Sequence, residues 1–278
     1  AGDDFTVADL TLGWVSQHGV QIHSDADRPH VHNVRFVDTG EQMLKVSYRE
    51  GDPTSSDQGI VECSLFEYSA GVGPQYYIGG IDAHQAHDWI VRGNVFRSIR
   101  SPEEDLAEHA VHFWSDSSGT LVEANQINDC DRGIGFGLGD RGHSGGIIRN
   151  NMVRTTRDVG IGLESARQTQ VLNNTVLTTG YPFAIEYRFG GTWGGAIVNN
   201  LANAEIASRD GGSADRIETN VSSAEESWFR DSAAGDLHLA GAPGSVVDQG
   251  AALAAVPTDI DCQPRPRGEG WDIGADES

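Results

Sequence analysis

Acids, bases and rings fall on alternate residues in a few short segments of this chain: GIDAH (80–84), AVHFW (110–114), GIGLE (160–164) and AIEYR (184–188). Alternate residues of an extended strand share a face. Asp82 with His84, His112 with Trp114, and Glu186 with Arg188 therefore project in pairs, with Glu164 on the matching face of its own strand. If the last two segments stack, Glu164 and Glu186 lie one strand apart and two residues along, roughly 8 Å between backbone positions. A carboxyl separation of about 6.5–9.5 Å suits an inverting glycoside hydrolase, which places water between its base and the sugar. Arg188, Arg141, Lys45 or a histidine would serve a lyase instead, one group taking the proton beside a uronate carboxylate while a cation neutralises the enolate. The candidate catalytic residues are thus Arg188, Glu164, Glu186, Arg141, His112 and Asp82.

Substrate contacts follow from the same faces. Trp114 offers a ring for stacking on a sugar. Gly135, Gly137 and Gly162 would leave a floor on which a flat ligand meets bare backbone. His84 and Lys45 flank that floor, and the loop GLGDRGHSGG (137–146) would bring Asp140, Arg141 and His143 over its edge. No metal ligand is assigned. Asp82, His84 and His112 could converge on a transition metal but match no metal-binding spacing. Calcium on Asp82, Glu164 or Glu186 would need loop carbonyls to complete its shell.

These side chains need a scaffold that stacks strands in register, and the sequence supplies a repeat. An apolar residue, two or three small or polar residues often including Asn, and a second apolar residue recur in VHNVRF (31–36), VECSLF (61–66), VRGNVF (91–96), VEANQI (122–127), IRNNMV (148–153), VLNNTV (171–176) and IVNNLA (197–202), with a weaker IETNVS (217–222). Successive starts of the first seven are 30, 30, 31, 26, 23 and 26 residues apart, the signature of a solenoid whose coils differ in loop length. Asn94, Asn125, Asn151, Asn174, Asn200 and Asn220 should stack as an internal ladder, Asn being both tolerant of the left-handed conformation and able to bond neighbouring backbone. Between these motifs a second strand family alternates. Its inward set is Ile22, Leu44, Val46, Ile81, Ala83, Val111, Phe113, Ile134, Phe136, Ile161, Leu163, Ile185 and Tyr187. Two outward columns remain: Gln21, Lys45, Asp82, His112, Gly135, Gly162, Glu186, and His23, Ser47, His84, Trp114, Gly137, Glu164, Arg188. The reading is an all-β, single-stranded parallel β-helix of about 8 to 10 coils over residues 1–250, with a covering segment at 251–278.

Composition narrows the partners. The 278 residues carry a formal charge of −22, spread along the chain, which argues against nucleic acid. No stretch is long enough for membrane insertion. Cys63, Cys130 and Cys262 lack the spacing of a disulfide framework or a cysteine-rich metal site.

The ladder and the ending DIDCQPRPRGEGWDIGADE (259–277) resemble the right-handed parallel β-helix proteins of the pectate-lyase-like superfamily. That resemblance implies a secreted or periplasmic protein with a polysaccharide or oligosaccharide partner. It implies β-elimination on a uronate-containing glycan first. An inverting hydrolase with paired carboxylates, a noncatalytic carbohydrate-binding protein and an epimerase are the alternatives, and calcium is an open cofactor.

Overall fold

Alternation sustained for only a few residues at a time, broken by turns, builds coils with several flat walls. The computed structural model describes residues 2–49, 51–241 and 243–278, so Ala1, Glu50 in the 48–60 loop and Ala242 lie outside it. The chain is a parallel β-solenoid of about eight turns, as the repeat predicts. Its front wall is one eight-stranded parallel sheet: Val20–Ile22, Leu44–Val46, Ile81–His84, His109–Trp114, Arg132–Phe136, Ile161–Glu164, Phe183–Arg188 and Glu205–Arg209. Every residue of the inward set is buried. Behind the front strands Phe36, Phe66 and Phe96 stack ring on ring, with centroids 4.6 Å apart at each step.

The columns hold their register. Gln21, Lys45, Asp82, His112, Gly135, Gly162 and Glu186 pair in succession. His84 pairs with Trp114, and Glu164 with Arg188.

The asparagine ladder is continuous from Asn94 to Asn220, each side-chain amide donating to the next side-chain oxygen at 3.0 Å. Ser64 takes the place of Asn one coil earlier, its Oγ accepting from Val34 N at 3.0 Å. The two roles expected of one asparagine are divided between neighbours. The left-handed turn falls on the preceding residue, Gly93, Ala124, Asn150, Asn173, Asn199 or Thr219, with φ between 48° and 61°. The following asparagine is then free to turn its amide inward along the stack.

The solenoid ends earlier than expected. Its last strand is Arg216–Glu218, followed by a bridge from Val221 to Leu201. From about residue 222 the chain runs back along the flank of the coils, so the covering segment is longer than 251–278. Phe229, Leu237, Val246 and Ile273 bury themselves against Met152, Leu177 and Leu201. Asn150 and Asn173 donate to the carbonyls of Thr258 and Asp272 at 2.7 and 3.0 Å. The closing motif is structural: the buried Arg265 guanidinium pairs with Glu277 at 2.5 Å and donates to Gly274 O at 2.8 Å.

Candidate functional site

The early end of the outward columns brings the expected groups together and seals them. Asp82 accepts from Trp114 Nε1 at 2.7 Å and forms a short ion pair with Lys45. Lys45 Nζ lies 2.9 Å from His84 Nε2, and His84 Nδ1 meets Ser115 Oγ at 2.9 Å. Tyr48 stacks on His84, and the Arg141 guanidinium lies 4.5 and 5.1 Å from the Tyr48 and Trp114 ring centres. Trp114 also packs against His84 and His112. The indole is thus the centre of a stack and not a platform left open for a sugar, while Arg141 is its cover and not a free base. Burial opposes ionisation of Asp82, but His84, Lys45 and His112 around it hold its carboxyl well below the ordinary range. Burial pushes the His84 imidazole down.

The glycine floor is filled. A side chain at Gly135 would meet the imidazole of His109 at 2.7 Å, and one at Gly162 would meet Val159 at 3.2 Å. Gly137 is needed for its backbone: φ is +77°, and a Cβ there would stand 1.8 Å from the Glu164 carbonyl oxygen. Gly137→Ala is therefore expected to cost about 2–4 kcal/mol, through left-handed strain and overpacking. A urea-denaturation midpoint equal to that of the wild type would overturn this account.

Two loop residues go elsewhere. His143 is buried, stacked on Phe136 with centroids 4.0 Å apart and paired with Thr120 Oγ1 at 3.0 Å; burial pushes its imidazole down to about 3. Asp140 is exposed and lines a separate hollow of about 250 Å³ with Arg167 and Trp193. A concavity of about 650 Å³ on another wall, among Leu10, Arg35, Leu65 and Arg97, contains none of the predicted residues.

Glu164, Glu186 and Arg188 do come together, in a locked arrangement. Arg188 Nη1 stands between the two acids, 3.4 Å from Glu164 and 3.7 Å from Glu186, while its other nitrogens hold Asp210 at 2.8 Å. Arg209 donates to Glu186 at 2.7 Å and to Tyr181 Oη at 2.5 Å. A guanidinium occupies the gap that an inverting hydrolase needs for water. Asp82 is held by Lys45 and by the Trp114 indole, and Glu186 by Arg209. Glu164, Tyr181, Glu186 and Arg188 line a cleft of about 100 Å³ that reaches His109. Small-molecule pockets usually measure about 300–1,000 Å³, so this cleft admits waters and ions more readily than a sugar ring.

Beside His109 lie groups with unmet needs. His112 Nε2 is 3.1 Å from the Gly137 carbonyl oxygen, which can only accept, so Nε2 carries the hydrogen. His112 Nδ1 then points a lone pair toward Asp82 Oδ1 at 3.7 Å and Glu108 Oε2 at 4.0 Å. It is buried without a hydrogen-bond partner, and so is Nδ1 of His109, whose ring lies 4.5 Å from that of His112. The donor atoms of Glu108, His109 and His112 fall within 4.8 Å of one another. Burial pushes His109 well below its ordinary value, so its nitrogens are available as ligands. A lone pair facing two carboxylates is repulsive unless a proton or a metal cation fills the space. Two imidazoles and a carboxylate suit copper, zinc or nickel, in contrast to the all-oxygen shell of calcium. The Gly137 carbonyl supplies the outer hydrogen bond that fixes the tautomer of a ligating histidine.

The sequence places His109 near Asp82, His84 and His112 but in a connecting segment, and it does not single out Glu108. His109 and His112 are three positions apart, an odd step that strict alternation assigns to opposite faces, and it is the irregular start of this strand that folds the His109 ring over Gly135. The motif EHAVH (108–112) was the available signal.

Coils and ladder define a parallel β-helix. Residues 67–221, more than half of the chain, match the family described as Periplasmic copper-binding protein (NosD), and the chain belongs to that family. A search of curated proteins found none that matches. The match bears out the parallel β-helix expected from the ladder and ending, and it does not extend to the pectate-lyase-like superfamily. Its periplasmic description agrees with the secreted or periplasmic expectation. No helix among the described residues is long and apolar enough to cross a membrane. The orphaned imidazole nitrogens fit the metal that the family description names.

Proposed function

We propose that this protein is a noncatalytic periplasmic binding protein whose ligand is a copper ion, held by Glu108, His109 and His112. The observation that carries the reading is the pair of buried, unpartnered Nδ1 atoms of His109 and His112, in a group whose donor atoms and those of Glu108 lie within 4.8 Å of one another. Copper bound there would neutralise the carboxylates of Glu108 and Asp82, and the narrow cleft would limit exchange with the medium. The chain's own part is retention: Gly137 fixes the His112 tautomer, Arg132 lies 3.9 Å from Glu108, and the stack of Trp114, His84, Tyr48 and Arg141 closes the opposite side.

Polysaccharide cleavage is the competing reading. A lyase would draw on Arg188 or Arg141 and a hydrolase on Glu164 and Glu186, but Arg188 serves three carboxylates and Arg141 is stacked on two rings. One experiment separates the two. Protein loaded with Cu(II) and desalted should retain copper, with an electron paramagnetic resonance spectrum coupled to two imidazole nitrogens. The same preparation should release neither reducing ends nor an absorbance near 235 nm from uronate-containing and neutral glycans. Loss of all copper on desalting, or glycan cleavage, would overturn the proposal.

A further inference from the structure

A second histidine–carboxylate group, with one unsatisfied imidazole nitrogen, lies on a different wall of the solenoid. His30 and His32 sit two residues apart on the strand His30–Val37, so both project from the same face while Val31 between them is buried. The next coil places Glu62 directly beside His32 in the parallel register. One carboxylate oxygen, Glu62 Oε1, lies 2.9 Å from His30 Nε2 and 3.5 Å from His32 Nδ1. The other, Oε2, is held by Arg92 Nε and Nη2 at 2.8 and 2.7 Å. His32 Nδ1 is itself buried and has no hydrogen-bond partner, although the rest of the ring is 41% exposed. The two imidazole centroids are 5.7 Å apart, and the three donor atoms lie within 4.8 Å of one another.

From this geometry we infer a second metal site, His30–His32–Glu62, that takes a divalent transition metal such as Cu(II) or Zn(II). Two nitrogens and one oxygen form the donor set that borderline metals prefer, and a calcium or magnesium shell would not use the imidazoles. Arg92 acts from outside the donor set: by gripping Oε2 it aims Oε1 between the rings, the role an outer hydrogen bond plays for a ligating carboxylate. Three protein ligands facing solvent leave further positions to water. This ion is therefore reached from the medium and exchanges faster than one at the sealed inner group. The inference does not depend on the inner site, since the donors, the wall and the exposure all differ.

Calorimetric titration of the full chain with Cu(II) tests it. Two equivalents are expected for the wild type. His32→Ala and His30→Ala should each lose one equivalent, with the remaining one still removed by His112→Ala. The ring protons of His30 and His32 should broaden first when substoichiometric Cu(II) is added in an NMR titration. Because both side chains are half exposed, the variants should keep the wild-type circular dichroism spectrum, which confirms that any loss is local. Isotherms for His30→Ala and His32→Ala that superimpose on the wild type would overturn the second site. If the inner reading alone is mistaken, the wild type binds one equivalent and His32→Ala binds none, a pattern distinct from failure of the outer site.

Discussion

Asn151→Ala should destabilise the solenoid by about 3–5 kcal/mol. The side chain is wholly buried. Its amide donates to the carbonyls of Val122 and Arg149 and to Asn174 Oδ1 at 2.9, 3.0 and 3.0 Å, while its oxygen accepts from the backbone and side-chain nitrogens of Asn125, both at 3.0 Å. Alanine would strand the Asn125 backbone N–H in a dry interior and interrupt the stack between coils, leaving a cavity as well. Asn220 closes the ladder where it is only partly buried, so Asn220→Ala should cost much less, about 1 kcal/mol. Denaturant unfolding followed by circular dichroism reads the difference. Equal midpoints for the two variants would refute the claim that burial and mid-stack position set the cost.

The second large effect concerns metal affinity. His112→Ala should weaken copper binding at the inner site at least about 100-fold, a figure already reached in metal sites by removing outer contacts alone. The substitution removes the one nitrogen whose lone pair is fixed by Gly137 and aimed at both Asp82 and Glu108. His87→Ala is the control, because His87 lies on a different wall and pairs with Asp57 at 3.0 Å. Competition titration against a chelator of known affinity measures both. Unchanged affinity in His112→Ala, or an equal loss in His87→Ala, would remove the inner group as the binding site.

The fold was legible because a solenoid makes its contacts locally. Each coil touches chiefly the next, so a repeat of 23–31 residues with inward alternation already specifies partner and register. That is why the column from Gln21 to Glu186 could be written down strand by strand. The ladder was legible for the same reason, except that the left-handed turn and the stacked amide belong to neighbouring residues.

The state of the outward side chains was not legible. Alternation says that Glu164, Glu186 and Arg188 share a face; it does not say that Arg188 fills the space between the two acids or that Arg209 arrives from the next coil to hold Glu186. It says that Trp114 points out, and nothing of Tyr48 and Arg141 coming from loops to cover the stack around it. His143 was expected at the rim because it lies in a glycine-rich loop, yet it forms a short strand and turns inward onto Phe136.

The sequence by itself therefore determined the coil, the ladder, the core and the order of residues along each column, since all of these depend on periodicity between adjacent coils. Tertiary structure decided which polar groups are neutralised, which are covered, and that Glu108 and His109 join His112. Those outcomes depend on where long side chains and irregular loops settle in space, and a repeat pattern carries no information about that.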